Sequence, residues 1–302
     1  RLLEKGYYVE TFTKKNKFKD LEKKISNIDF IFHFAGVNRS KSNKNFSNVN
    51  INLTKKICEI LVSKKKKIPI FFSSSTKVKD DSSIYSSSKL KAEKILKSHS
   101  KKKYPVIISR LPNVYGKWSK PNYNSFISTC CYNLSRNLKI NLSDKNNKME
   151  VIYIDDLIDQ LINLIKFKKR KNFLNFKLKK IDKTSVGEIF NIISKIKNYR
   201  NELEILDLKK RLNANLYSTY VSFFSKKLAS YKLSTNKNKT GIFTEFLKGK
   251  NFGQISTLSI KPGQIRGNHY HHSKVEKFLV IRGKAKFKLE NILNKKNNFD
   301  IL

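Results

Sequence analysis

The sequence predicts an α/β protein: a doubly wound parallel sheet followed by a small all-β unit. Three observations carry this. Short apolar strands alternate with helical segments over residues 1–232, the pattern of a parallel sheet with helices on both faces. The texture then changes to short alternating strands separated by glycine turns, the mark of a small β unit. Finally, Gly36, Ser75 and Pro112 each follow a strand, and ligands in such sheets bind beyond the C-terminal strand ends. The 302 residues suffice for two domains, with expected boundaries of 1–232 and 233–302.

Taken in order, Leu2–Gly6 reads as a helix end closed by glycine. Tyr7–Phe12 reads as a strand, and Asp29–Phe34 as a buried strand running into Ala35-Gly36. Helical spacing covers Asn50–Ser63. Ile68–Phe72 is an apolar strand that runs into Ser73-Ser74-Ser75. Tyr85–His99 reads as a helix and Tyr104–Ser109 as a strand. Thr235–Thr240 has linker character, and strands are expected at Phe243–Leu247, Ile255–Ile260, Phe278–Ile281 and Ala285–Leu289.

Composition narrows the function classes. The formal net charge is +42, but it comes from 56 lysines against nine arginines, in a chain also rich in asparagine and isoleucine. Specific nucleic-acid readers rely on arginine forks as well as charge. The lysines are therefore read as a solvated surface, and no specific nucleic-acid partner is expected. No apolar run reaches the ~20 residues of a membrane helix, so no membrane partner is expected. Arg1–Gly6 is no secretory signal, and Cys58, Cys130 and Cys131 form no CxxC pair. A reduced, cytoplasmic protein follows as the expectation.

Tyr85 and Lys89 lie four residues apart, which puts both on one helix face. An ammonium beside a phenol favours the phenolate, so Lys89 is expected to lower the Tyr85 pKa and make it a general acid or base. Ser75, at the end of the preceding strand, suits a hydroxyl that holds the substrate oxygen.

The segment Phe72-Ser73-Ser74-Ser75 followed by Tyr85-Ser86-Ser87-Ser88-Lys89 resembles the extended short-chain dehydrogenase/reductase family, whose fold is Rossmann-like. His33-Phe34-Ala35-Gly36, Asn50-x-Asn52-x-Thr54, Arg110-Leu111-Pro112-Asn113-Val114-Tyr115-Gly116 and Ile154-Asp155-Asp156 agree with it in order. The resemblance implies Tyr85, Lys89 and Ser75 as catalytic residues. It implies cofactor contacts from Ala35, Gly36, Tyr85, Lys89 and Pro112, and substrate contacts from Asn113 and Arg110. The family's GxxGxxG pyrophosphate turn is not found before Tyr7 and is expected upstream of Arg1. A chain without it is expected to bind NAD(P) poorly.

A second cluster lies in the β unit, as Gly263-x5-His269-x-His271-x4-Glu276-x6-Gly283. Histidines two apart on a strand point the same way, and Glu276 from the next strand can close on them. Two imidazoles and a carboxylate suit a divalent metal such as zinc. The pattern resembles the first cupin motif. It implies a partial cupin whose second motif is expected beyond Leu302.

Reductase plus cupin resembles the capsular polysaccharide synthesis enzyme CapF family. Segments 35–39 (Ala35 to Arg39), 116–125 (Gly116 to Ser125) and 267–278 (Gly267 to Phe278) carry that likeness. The resemblance implies C3 epimerisation of a UDP-4-keto-6-deoxy-N-acetylhexosamine by the cupin. Reduction of its C4 ketone with NADPH, or NADH, would follow, leading toward UDP-N-acetyl-L-fucosamine for capsule or O-antigen. The expected assembly is a homodimer. Two alternatives stand beside this reading. One is another nucleotide-sugar epimerase or 4,6-dehydratase of the extended family, although Thr76-Lys77 replaces the Asp-Glu pair a dehydratase uses. The other is a non-catalytic polyanion-binding protein.

Overall fold

A computed structural model of the chain describes every residue except 39–41, 43–45, 80–82, 143, 167–171, 205–206, 250–252, 295–297 and 302, and the side chain of Asn201. Arg39, within one of the expected family segments, lies outside the described residues. Two compact units are present. One comprises Arg1–Ser234 with Glu245–Ser256, the other Thr235–Thr244 with Thr257–Leu302.

The first unit is built on a four-stranded parallel sheet in the order β1-β2-β3-β6. Its strands are β1 (Ile31–His33), β2 (Ile70–Ser75), β3 (Val106–Leu111) and β6 (Phe173–Asn175). Ile70 pairs with Ile31 on one side and Val106 on the other. The two-residue period of β2 sends Ile70 and Phe72 to one face and Phe71 to the other. On the first face they meet Ile57 and Leu61 of helix α2 (Leu53–Ser63) and Ala92 and Leu96 of helix α3 (Ile84–Lys101), with helix α1 (Phe18–Ser26) adding Leu21 and Ile25. On the second face Phe71 meets Leu157, Leu161 and Leu164 of α5 (Ile154–Ile165). Phe71 and Phe72 are both fully buried, and each such side chain stabilises the fold by about 1.5–3 kcal/mol.

A second, mixed sheet runs β4-β5-β7, from Asn113–Tyr115, Lys148–Tyr153 and Asp182–Ser185. It packs with α4 (Phe126–Ser135), α6 (Val186–Glu202) and α7 (Arg211–Val221) around Tyr115, Ile189, Ile193 and Leu216. A short helix, α8 (Lys226–Ala229), follows. This is the Rossmann-like sheet with a strand-rich C-terminal region that the sequence predicts.

The expected glycine-closed turn is present. Gly6 closes a 3-10 turn over Leu3–Lys5 at φ 77°, its N–H donating to Leu3 O. The Ser83 hydroxyl caps α3 by accepting from the Ser86 N–H at 3.1 Å. The segment expected as helix from Asn50 begins instead with a π turn over Ser47–Asn52 and becomes regular only at Leu53.

Three expectations are corrected. Tyr7–Phe12 is not a strand. A strand exists only where a neighbour completes its ladder, and among the described residues β1 pairs with β2 alone. Phe12 still packs against the core, and Glu10 pairs with Lys24. Next, Thr235–Thr240 is no linker. Thr235–Asn238 forms β8, paired antiparallel with β9 (Gly241–Gly249). Their turn is held by Asn238 Oδ1, which accepts from the Thr240 and Gly241 N–H groups at 3.0 Å each. A Cβ at Gly241 would lie 1.9 Å from Ser259 O, so only glycine fits. Finally, Phe278–Ile281 makes no ladder, and Leu279 and Ile281 are exposed. Strands β10 (Gly253–Ile260), β11 (Phe287–Glu290) and β12 (Asn298–Ile301) complete the described β structure.

Candidate active site and metal cluster

The three consecutive serines that end β2 have separate partners. The Ser73 hydroxyl donates to His33 O at 3.3 Å, which ties β2 to β1. The Ser74 hydroxyl donates to Glu93 Oε1 of α3 at 2.5 Å. Ser75, the last, accepts from the Lys77 N–H at 3.3 Å and also stands against Tyr85. The strand thus uses two serines to fix its end and presents the third beside the tyrosine.

Helix α3 supplies Tyr85, Lys89 and Glu93, each four residues after the last and so on one face. Lys89 is almost wholly buried. Its Nζ donates to Ser73 O at 2.9 Å and lies 4.6 Å from the centre of the Phe72 ring. Burial pulls the ammonium down to about 8, against the opposing charge of Glu93. Burial raises the Tyr85 phenol, and Ser75 offsets part of that rise. The expected lowering of Tyr85 by Lys89 is therefore corrected. The ammonium is turned to a backbone carbonyl, and desolvation dominates the phenol. Tyr85 is held in its protonated form, the state a proton donor needs.

The loop after β1 brings Gly36 to the same place. A Cβ at Gly36 would stand 3.0 Å from Lys89 Nζ and 3.4 Å from Asn50 Oδ1. The absent side chain leaves room beside the lysine, whose ammonium has donors beyond the one on Ser73 O. That space and those donors fit the ribose hydroxyls of a dinucleotide. Asn50, fully buried in the π turn, fixes the loop. Its Oδ1 accepts from the Val37 N–H at 2.8 Å, and its Nδ2 donates to Val37 O at 3.0 Å and to Ser88 Oγ at 2.8 Å. Ser88 Oγ donates onward to Tyr85 O at 2.8 Å. Ala35 is exposed in this loop, and Pro112 is buried between β3 and β4. His33 is a core residue: its Nε2 lies 2.8 Å from Thr54 Oγ1, and burial pushes its pKa down to about 3.

Arg110, expected at the substrate, has another partner. Its Nε and Nη2 donate to the two oxygens of Glu93 at 2.9 and 2.8 Å. Burial pushes the Glu93 carboxyl up, but the hydrogen bonds from Arg110 and Ser74 outweigh it and leave the pKa lowered. Glu93 is 2% exposed but Arg110 is 36% exposed, so the pair is half-buried. The guanidinium therefore joins β3 to α3. Asn113 is exposed at the strand end, donating to Glu150 O at 3.2 Å. Glu93 and Ser74 escaped the sequence reading. The signal was there: Glu93 is the only acid in α3, one turn beyond Lys89.

A cavity of about 410 Å³ opens beside the π turn, lined by Phe46, Ile51, Ile84, Ser87 and Lys91 among others. It follows a different face of α3 from Tyr85, Lys89 and Glu93, so the chemistry is assigned to the strand ends. The three cysteines are buried and free, and burial raises every thiol.

In the second unit His269, His271 and Glu276 each offer a ligand atom, all within 4.8 Å of one another. The two rings are 4.9 Å apart, and His271 Nε2 lies 3.4 Å from Glu276 Oε1. The residues sit on an irregular segment rather than on the expected strands. Gly267 at φ 109° and Asn268 at φ 58° turn the chain just before the first histidine. The donor set fits a divalent cation.

Residues 9–176 match the NAD dependent epimerase/dehydratase family. The chain belongs to this family. Membership supports a nicotinamide cofactor for this chain. Residues 236–300 match the polysaccharide biosynthesis C-terminal domain. The chain is 38% identical over 289 residues to a UDP-2-acetamido-2,6-beta-L-arabino-hexul-4-ose reductase of Pseudomonas aeruginosa, covering 95% of this chain and 77% of that protein. Its structure is similar to the capsular polysaccharide assembling protein CapF from Staphylococcus aureus, with a TM-score of 0.84 and 34% identity over 95% of this chain and 78% of that one. UDP-glucuronic acid 4-epimerase from Bacillus cereus, solved with NAD, shares the fold at 19% identity and a TM-score of 0.58, covering 72% of this chain and 81% of that one. Among the described residues, no helix is long and apolar enough to cross a membrane.

Proposed function

We propose that the protein reduces the C4 ketone of a UDP-4-keto-6-deoxy-N-acetylhexosamine with NADPH, and that its C-terminal region, read as part of a cupin over 233–302, epimerises C3 of the same sugar. The single observation that carries the reductase reading is the meeting of Tyr85, Ser75 and Lys89 at the end of β2, with Gly36 leaving space beside the lysine. The relative from P. aeruginosa, named as a hexul-4-ose reductase, supports it.

Bound NADPH supplies the hydride that reduces the ketone. Ser75 holds the carbonyl oxygen by donating a hydrogen bond. Tyr85 delivers its phenolic proton to that oxygen as charge develops there. Lys89, fixed on Ser73 O beside Gly36, would hold the ribose of the cofactor. Asn113, and the edge of Arg110 left over by its Glu93 pairing, would contact the sugar. His269, His271 and Glu276 would hold a zinc-class ion, which supplies Lewis acidity in the cupin region.

The test is to incubate the protein with the 4-keto sugar and NADPH and follow cofactor oxidation. Stoichiometric oxidation with a reduced sugar product supports the reading, and no oxidation above a Tyr85→Phe control would refute it. A dehydratase reading is disfavoured by Thr76-Lys77, which offers no acid–base pair after the serine.

A further inference from the structure

Among the described residues, Glu93 is the one carboxylate buried under the candidate reductase site. Its side chain is 2% exposed. It accepts from Ser74, the residue before Ser75, and from both ends of the Arg110 fork. It sits one helical turn from Lys89 and two from Tyr85. Lys89 in turn grips Ser73 O, the residue before Ser74. Two side chains of α3 thus hold two successive residues of β2, and the third residue of that run is the serine beside the tyrosine.

A buried carboxylate is costly unless it is paired, and here it is paired from two strands. A neutral residue could tie helix to strand without that cost. The carboxylate also sits one helical turn from Lys89, where its charge opposes the loss of the proton that burial favours. Among the described residues, the charged or titratable groups around Lys89 are His33 on β1, Tyr85 and Glu93 on α3 and Arg110 on β3. His33 is neutral by burial, Tyr85 is protonated, and Arg110 is cationic and engaged by Glu93. Lys97 lies 3.9 Å from Glu93 on the solvent side. Glu93 is the only anion in this set.

We propose that Glu93 is a positioning residue for the reduction: its buried carboxylate fixes the Ser75 end of β2 against α3 and serves as the countercharge of Lys89. The inference rests on the reductase reading above for its catalytic consequence, but not for the charge state of Lys89.

The test compares the wild-type protein with Glu93→Gln and Glu93→Asp. Lys89 is titrated by competitive labelling with an amine-acylating reagent across pH, read by peptide mass spectrometry, with melting curves to check folding. The expected result is a Lys89 midpoint lower by about one pH unit or more in Glu93→Gln, restored in Glu93→Asp. The alkaline limb of kcat with NADPH and the keto sugar moves down by the same amount, while KM changes less than kcat. An unmoved midpoint and limb in folded Glu93→Gln would leave Glu93 a structural tie only and overturn the proposal. Should that variant not fold, the wild-type titration decides: Lys89 uncharged at neutral pH overturns the proposal, and Lys89 charged there supports it. If the wild type reduces no keto sugar, the reductase reading fails while the Lys89 titration still judges Glu93.

Discussion

Gly36 faces the Lys89 ammonium so closely that a Cβ would stand 3.0 Å from Nζ. The lysine cannot swing away freely, because Nζ is bound to Ser73 O in a buried setting. Gly36→Ala is expected to displace the ammonium and weaken NADPH binding about tenfold, which corresponds to ~1.4 kcal/mol. Calorimetric titration with the cofactor checks it, and unchanged affinity would mean that the loop after β1 does not line the cofactor site.

Tyr85→Phe removes the proton donor and keeps the ring. The turnover rate should fall by roughly 10²–10⁴-fold with little change in melting temperature. A raised phenol pKa means the proton stays on Tyr85 through neutral pH. The alkaline limit is then set by Lys89, whose charge is lost above about 8. Steady-state rates across pH measure both, and a limb well below neutrality would contradict this assignment.

Acid sensitivity should trace to buried histidines. The His33 pKa drops from 6.5 to about 3 on folding, and that of His99 from 6.5 to about 4, each by burial first. Below 6.5 the unfolded chain binds protons that the folded chain refuses, so stability falls as pH falls from 6.5 toward 3. Denaturant midpoints measured over that window should slope less in His33→Asn than in the wild type. Parallel slopes would show that His33 does not contribute.

The metal cluster makes a separate prediction. Zinc should bind the protein with near-equimolar stoichiometry, and His271→Ala should lower the affinity at least about tenfold by removing one of three ligands. Metal analysis after dialysis reads this without reference to turnover. Equal zinc content in the variant would assign the ion to other residues.

Much of the first unit was legible because its signals are local. Ile68–Phe72 is uniformly apolar as a strand buried on both faces must be, and Tyr85 and Lys89 share one face of a helix. The failures share one cause: pairing is not local. Tyr7–Phe12 and Phe278–Ile281 have strand composition but no ladder neighbour among the described residues. Thr235–Asn238 has linker composition yet gains a neighbour through the Asn238 turn. At the site, residue positions were readable from spacing, but partners were not. Sequence places Lys89 on the face of Tyr85 without revealing that its ammonium reaches Ser73 O. It places Arg110 at a strand end without revealing that Glu93 takes both arms of its fork.

The Asn50 amide meets both the N–H and the C=O of Val37, much as a neighbouring strand would. A side chain here imitates one rung of a ladder. The loop that follows β1 is thus measured off from a helix rather than from its own sequence. The backbone at Val37 is held in register whatever side chain it carries, because the gauge is kept at residue 50. Substituting that one residue should disturb the loop more than substituting Val37 itself.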